Sequence, residues 1–173
     1  MSQAMTIERE EYQIYAALID ATHVHTDASI GLIVLLDHTD IAPTYDGRST
    51  LNLVKKRAPA LLPDTLDDFE SKNATPCALD YTFDLTVEYL LIGDEVKSMA
   101  FASKTGWADF YAKYPRSQGI TWVSRVGFNR EHDQALVYLA NRRHTLMGSG
   151  EYLLLANDRG QWRPRGLVRA WIS

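Results

Sequence analysis

Three histidines near the start of the chain are the residues whose spacing best fits a metal site. His23 and His25 are separated by one residue, so a strand would place both imidazoles on one face, and His38 follows shortly after. Imidazole nitrogens are common ligands of zinc and related ions. If residues 30–36 form a strand, His38 lies about 25 Å from the first pair. Solvated loop histidines are therefore the alternative interpretation.

A second group of residues could hold an anion. Arg125 and Asn129 share one strand face with Gly127, where the missing side chain would let a ligand or an aromatic ring approach the backbone. The Arg125 guanidinium could bind a carboxylate or a phosphate. Trp122 and Tyr138 are the aromatic residues predicted to line such a site. The alternative is an arginine paired with an acidic helix residue, beside a glycine that relieves sheet curvature.

Other reactive side chains give weaker signals. Asp84 and Glu88 could act as an acid and base pair, but residues four apart on a strand are separated by about 13 Å. Ser149 lies between two glycines without the full nucleophile motif, which favours a tight turn. Cys77 is the only cysteine, and nothing in its spacing supports a nucleophile. No cofactor is predicted.

Composition restricts the class of protein and its partners. The 173 residues are 46% hydrophobic and 23% charged, which predicts one globular domain spanning residues 1–173. The N-terminal residues lack the apolar stretch of a signal peptide, no segment is long and apolar enough for a membrane span, and a lone cysteine fits a reducing compartment. A cytoplasmic protein is expected, with no membrane partner. A pI of about 5.7 and the absence of a reader motif argue against nucleic acid.

Charge is divided unevenly along the chain. Residues 1–112 carry 8 basic and 18 acidic side chains, a net charge of −10, whereas residues 113–173 carry 10 and 4, a net charge of +6. The C-terminal arginines could present a basic face to an anionic ligand or partner. Since acidic helices must pack near the sheet to complete a core, pairing within the chain is the favoured interpretation.

The elements that must position these residues follow from hydrophobic periodicity. Helices are predicted over residues 6–21, 50–58, 64–72 and 103–114, the first with an apolar stripe at Tyr12, Tyr15, Leu18 and Ile19. Residues 30–36 are apolar throughout and predict a buried strand. Residues 81–92 alternate strictly and predict a half-exposed antiparallel strand. The loop over residues 42–49 connects the first strand to the second helix.

The last third of the chain predicts four successive strands. Residues 119–129 alternate, with Ile120, Trp122, Ser124, Val126 and Phe128 on one face. Residues 134–141 are apolar on both faces, which predicts a central strand. Residues 151–156 and 161–173 follow, joined by a turn at residues 157–160. Pro164 places the last strand at a sheet edge or at a bulge.

The predicted fold is α+β, with a curved, mainly antiparallel sheet, a C-terminal four-strand meander and helices packed on one face. From about residue 79 onward this element order resembles the nuclear transport factor 2-like group, in which curved sheets enclose a cone-shaped pocket. The early strand at residues 30–36 departs from that group, so a cystatin-like or unrelated α+β arrangement remains open. Residues 124–129, 134–138 and 148–154 also resemble a family of small bacterial proteins, which implies no activity.

Three functional hypotheses follow. The first is a non-catalytic domain that binds a small ligand or a protein partner, as a homodimer whose apolar strands associate with two-fold symmetry. The second is a small-molecule enzyme with a cone-shaped pocket, in which Arg125 anchors an anion and Asp84 or Glu88 is the base. The third is a metal-dependent hydrolase built on His23, His25 and His38.

Overall fold

The computed structural model describes residues 6–41, 44–45 and 48–173. Its helices are α1 (Arg9–Ile19), α2 (Thr50–Arg57), α3 (Pro63–Lys72), α4 (Asp94–Ala102) and α5 (Gly106–Lys113), and a π-helical turn, Asp20–Val24, extends α1. Its strands are β1 (Leu32–Leu36), β2 (Thr44–Tyr45), β3 (Arg48–Ser49), β4 (Glu88–Ile92), β5 (Ser117–Val123), β6 (Gly127–Phe128), β7 (Gln134–His144), β8 (Met147–Asp158) and β9 (Gln161–Ile172). The predicted loop over residues 42–49 lies partly outside the described residues.

Seven of these strands form one mixed sheet. The strand order is β4-β1-β5-β7-β8-β9, and β6 also pairs with β7. β1 is parallel to β4 and β5, whereas every pairing from β5 to β9 is antiparallel. The predicted α+β class and C-terminal meander are confirmed. The sheet is open rather than curled, because β4 and β9 remain as its two edges.

Both faces of the sheet are covered by hydrophobic cores. Because successive side chains of β7 point to opposite faces of the sheet, Val137 and Leu139 face α1. Leu136 and Tyr138 face the other four α-helices. The grouping of helices on one face therefore holds for α2 to α5, while α1 is the exception. The apolar stripe of α1 must be buried against another element, and it packs on the opposite face of the sheet from α2 to α5.

The predicted strand over residues 81–92 pairs with the sheet only in its second half, and in parallel rather than antiparallel orientation. Residues 81–87 form no strand, although their burial still alternates, with Phe83 packed against Tyr12 of α1. Hydrogen bonds outside the sheet hold this segment: the Tyr12 hydroxyl accepts from the Asp80 N–H, and the Asp20 carboxylate accepts from Thr86. Backbone groups satisfied in this way have no need of a strand partner.

The predicted strand over residues 119–129 is interrupted at residues 124–126. Trp122 faces the α2 to α5 side, whereas Val126 and Phe128 face α1, so these residues do not share one face as expected. The Ser124 N–H still donates to the Tyr138 carbonyl at 3.0 Å, but the Tyr138 N–H donates to the Ser124 hydroxyl instead of to a backbone carbonyl. The extra residues therefore act as a bulge that reverses the strand's faces.

The β8–β9 hairpin follows the predicted pattern. Arg159 and Gly160 form its two-residue loop with φ values of 53° and 85°, the left-handed conformations typical of a type I′ turn. Pro164 lies in the edge strand β9 next to a register shift opposite Leu154 and Leu155, as predicted.

Within the described residues, no helix combines the length and apolarity needed to cross a membrane.

Gly127 is required by close packing rather than by its backbone conformation. A Cβ built on Gly127 would overlap the backbone of Phe69 in α3. Replacement of Gly127 by alanine is therefore expected to cost about 1–3 kcal/mol of unfolding free energy through overpacking. Gly166→Ala is the matched control, because a Cβ there approaches only Leu154 at 3.7 Å. Urea denaturation of both variants measures the difference, and equal stabilities would contradict this account.

Candidate ligand-binding cleft

A cleft of about 290 Å³, lined by both polar and apolar residues, opens where the end of α1 meets the β7–β8 hairpin. The π-helical turn contributes Thr22 and His23, and β7 contributes Asn141 and Arg143. The start of β8 and the end of β9 close the remaining sides with residues 147–149 and 172–173. Three separate parts of the chain therefore converge on one small volume.

The π-helical turn positions His23 in this cleft. The His25 N–H donates to the Asp20 carbonyl at 2.8 Å, the bond that closes the wider turn. Asp20 also accepts hydrogen bonds from Thr86, which ties the turn to the segment before β4. Short π-helical turns are rare and are found disproportionately at functional sites.

The imidazole of His23 is buried without a hydrogen-bond partner. Its side chain is only 4% exposed, and neither Nδ1 nor Nε2 bonds to any described residue. A buried polar atom left unpaired costs about 1–3 kcal/mol, so native proteins pair nearly all of them. A molecule bound in the cleft would supply the hydrogen bonds that the two ring nitrogens of His23 lack.

Burial also determines the charge of His23. Desolvation, assisted by the positive charge of Arg143, lowers the pKa of His23 from 6.5 to about 4. The imidazole is consequently neutral near pH 7. In that form one ring nitrogen donates a hydrogen bond and the other accepts one.

Arg143 supplies the positive charge of the cleft. Its Nε donates to the Asn141 Oδ1 at 3.4 Å, and its guanidinium forms no salt bridge within the described part of the chain. Its backbone carbonyl accepts from the Tyr111 hydroxyl at 2.7 Å, which anchors this end of β7 to α5. Hydrogen bonds from Ser29 and, to a smaller extent, the charge of Arg143 lower the pKa of Asp27, so this carboxylate lies within electrostatic reach of the guanidinium without forming a salt bridge. Arg143 therefore keeps its N–H groups available to bind an external anion.

Asn141 connects the cleft to a buried polar cluster on β5. Its amide Nδ2 donates to the Thr121 hydroxyl at 3.0 Å and contacts the Gln118 carbonyl. Gln118 in turn donates to Thr121 at 2.6 Å, while its own Oε1 is buried without a partner among the described residues. These bonds fix the orientation of Asn141 before any ligand arrives.

Arg125, the predicted anion anchor, lies elsewhere and is already occupied. Its guanidinium is 3% exposed and makes a bidentate contact with Glu11 of α1, with Nε 2.9 Å from Oε2 and Nη2 2.6 Å from Oε1. Burial lowers the pKa of Arg125, but the hydrogen bonds and charge of Glu11 outweigh burial, so the net pKa is raised. This is the pairing with an acidic helix residue that the alternative interpretation described.

The other predicted ligand-binding residues have separate environments. Asn129 lies in the β6–β7 turn and bonds to Asp133 and Gln134. Trp122 stacks on Trp171, with ring centroids 6.1 Å apart, and the Tyr138 hydroxyl accepts from the Trp171 Nε1 at 2.7 Å. These contacts do not bring Arg125, Asn129, Trp122 and Tyr138 into one cleft, and their role in ligand binding stays a prediction.

The three histidines predicted as metal ligands are not brought together. His23 is buried, His25 is exposed after the π-helical turn, and His38 contacts Asp37 at 2.7 Å and Asp94 at 3.5 Å. Across the described ranges, no group of three His, Cys, Asp or Glu side chains has the arrangement needed for a metal ion. Of the three, His23 lines the cleft described above.

The paired carboxylates and Ser149 also lack a catalytic arrangement. Asp84 is exposed in the segment before β4, and Glu88 is exposed as the first residue of β4. Ser149 lines the cleft, but His23 bonds to no described residue, so the hydrogen bond between nucleophile and base is missing.

Pairing of the C-terminal arginines within the chain is only partial. Arg125 pairs with Glu11, and Arg169 pairs with Glu151 at 2.8 Å. Arg143 and Arg165 form no salt bridge with any residue the structure describes. The favoured interpretation, that acidic helices neutralise this half of the chain, therefore holds for Arg125, whereas Arg169 pairs with Glu151 of strand β8.

Arg143 and Asn141 were missed as site residues by sequence reasoning. Two sequence signals could have found them. His23 continues the buried stripe of α1 at helical spacing after Tyr15 and Ile19, and alternation along β7 places Asn141 and Arg143 on the same sheet face as Leu139.

Comparison with known proteins gives no family, no curated relative and no solved structure that matches the chain.

Proposed function

We propose that this protein is a non-catalytic binding domain for a small, polar, anionic molecule, which the His23 cleft holds. The single observation that carries this proposal is the pair of unsatisfied, buried ring nitrogens of His23. A ligand that offers one hydrogen-bond acceptor and one donor would satisfy both. The gain is large because the unpaired groups already carry the desolvation cost.

Arg143 defines the anionic part of the ligand. A carboxylate or a phosphate would bind its guanidinium, while the Ser149 hydroxyl offers a further hydrogen bond from the cleft wall. The ligand therefore combines an acidic group with a hydroxyl, amino or amide group a few atoms away. A hydroxycarboxylate and a phosphorylated small molecule share this chemistry.

Entry to the cleft requires a small local movement. The ring nitrogens of His23 are sealed from bulk water, so one lining side chain must shift before a ligand reaches them. Met147 lines the cleft and is 56% exposed. Its unbranched, flexible side chain is the one best able to move.

Replacement of Arg143 by glutamine tests the proposal. In a thermal-shift screen with small hydroxycarboxylates in one arm and small organic phosphates in the other, one class should stabilise the wild-type protein saturably. Ligand at a hundred times its Kd stabilises by about 2.7 kcal/mol. Arg143→Gln should weaken binding about tenfold or more, since bonds to charged groups contribute about 1.5–3 kcal/mol.

Arg163→Gln is the matched control for this experiment. Arg163 is an exposed arginine of β9 that bonds only to Gln161 within the described residues, and it does not line the cleft. The control removes the same charge and should bind as the wild type does. Equal weakening in both variants, or no stabilisation by either class, contradicts the proposal. The homodimer, the cytoplasmic location and the likeness to the nuclear transport factor 2-like group stay predictions.

A further inference from the structure

We infer that the protein has a second binding site, which takes an apolar carboxylate such as a medium-chain aliphatic acid. This site is a groove of about 290 Å³ between the end of α2 and strands β8 and β9. Leu136 and Leu154 form its floor, and Val54 of α2 forms one wall. It lies on the sheet face covered by α2 to α5, whereas Asn141 of the His23 cleft belongs to the face covered by α1.

Gly166 gives the groove its depth. A Cβ built at this position would meet only the Leu154 Cβ, at 3.7 Å, and the backbone is not in the left-handed region. Neither a close contact nor the chain conformation therefore requires glycine here. The missing side chain leaves apolar space open above Leu154, which a hydrocarbon chain would fill.

Two arginines lie at the groove without a partner of their own. Arg57 ends α2 and Arg165 lies on β9. Both are exposed, and neither side chain forms a hydrogen bond, a salt bridge or a ring contact within the described part of the chain. Their neighbours differ, because Lys55 pairs with Glu70 and Arg169 with Glu151. Two unpaired guanidinium groups beside an apolar floor are complementary to a carboxylate with an apolar tail.

The dimensions favour a small molecule over a polypeptide. The groove is near the lower end of the roughly 300–1,000 Å³ typical of small-molecule sites. A peptide strand added along β9 would meet Pro164, which has no N–H to donate. The proposed occupant places its tail over Leu136, Leu154 and Gly166 and its carboxylate at Arg57 and Arg165.

Titration of the full chain with octanoate, followed in two-dimensional amide NMR spectra, tests this inference. Octanoate should shift the signals of residues around Gly166 saturably, and octanol and acetate should each bind at least about tenfold more weakly, since each lacks one half of the recognition. Arg165→Gln should weaken octanoate binding about tenfold, and Gly166→Val should abolish it. Arg163→Gln, on the same strand but outside the groove, should leave it unchanged.

Three results would overturn the inference: octanol binding as tightly as octanoate, octanoate affinity unchanged in Arg165→Gln, or self-association that Gly166→Val abolishes, which would identify a second copy as the occupant. Because Arg165 is exposed, its variant tests the site even if Gly166→Val does not fold. Octanoate binding should persist in Arg143→Gln. Failure of the groove is therefore distinguishable from failure of the His23 cleft.

Discussion

Replacement of Glu11 by glutamine is expected to lower the free energy of unfolding by about 3–5 kcal/mol, the cost typical of removing one partner from a buried ion pair. Glu11 is fully buried, and its carboxylate accepts from the Arg125 guanidinium, from the Val126 N–H at 2.8 Å and from the Tyr15 hydroxyl at 3.2 Å. A glutamine keeps the shape of the side chain. It leaves the Arg125 charge buried without compensation.

Two further variants make this prediction specific. Glu70→Gln removes a carboxylate from the half-exposed pair with Lys55, where the loss should be about 0–1 kcal/mol. In the double variant Glu11→Leu, Arg125→Met, no unpaired charge remains, so much of the stability lost in Glu11→Gln should return. Chemical denaturation measures all three proteins. A loss in Glu11→Gln no larger than that in Glu70→Gln would contradict the assigned role of the pair.

The second large effect is a loss of stability in mild acid that depends on His23. The pKa of His23 is about 4 in the folded protein and close to 6.5 in the unfolded chain. Between these values the unfolded chain binds a proton that the folded protein does not, so acid favours unfolding. The contribution is fully present above pH 6.5, is lost as the pH falls toward 4, and amounts to about 3 kcal/mol at 1.36 kcal/mol per unit.

Comparison with His23→Leu isolates this contribution from that of other titrating groups. Leucine cannot take up a proton, so the difference in unfolding free energy between the variant and the wild type should grow by about 3 kcal/mol from pH 7 to pH 4. His25→Leu is the control, because His25 is exposed. Denaturant melts at several pH values provide the measurement. Parallel pH profiles for His23→Leu and the wild type would show that His23 is not held neutral by burial.

The local sequence pattern predicted those elements whose hydrophobic periodicity matches the way they pack in the fold. The stripe of α1, the apolar strand β1 and the meander from β7 to β9 are all present, because each repeats its apolar residues at the spacing of its own structure. Pro164 was likewise placed at the edge from its missing N–H alone. The helix α4 was missed, since residues 94–102 carry little amphipathic pattern and only Ala100 among them is buried.

The misplaced features depend on contacts between distant residues. The reversal of faces at residues 124–126 depends on Glu11, more than a hundred positions earlier, and on Asn73, whose Oδ1 accepts from the Arg125 N–H. The position of residues 81–87 outside the sheet is accompanied by contacts with Tyr12 and Asp20, about 65–70 positions earlier. No pattern within a short window contains these partners, so an alternating segment alone cannot reveal its orientation or its bulges.

The candidate site shows the same difference between what the local sequence indicates and what contacts between distant residues determine. His23 was identified by residue type, but its chemistry depends on burial, on the π-helical turn and on the register that brings Arg143 beside it. Arg125 was identified by its position near a glycine. The strand bulge at residues 124–126 directs the Arg125 side chain toward α1, where Glu11 pairs with it. Residue types therefore indicate candidates, while nonlocal packing decides which of them remain available to a ligand.

The most direct test of the His23 cleft is an NMR measurement on protein with ¹⁵N-labelled histidine side chains. Ligands that stabilise the protein in the hydroxycarboxylate and phosphate screen would be added to saturation. The account predicts that the ring nitrogen signals of His23 shift while those of the exposed His25 and His132 stay in place. A stabilising ligand that leaves the His23 signals unchanged would show that the molecule binds elsewhere, and would contradict the proposed function.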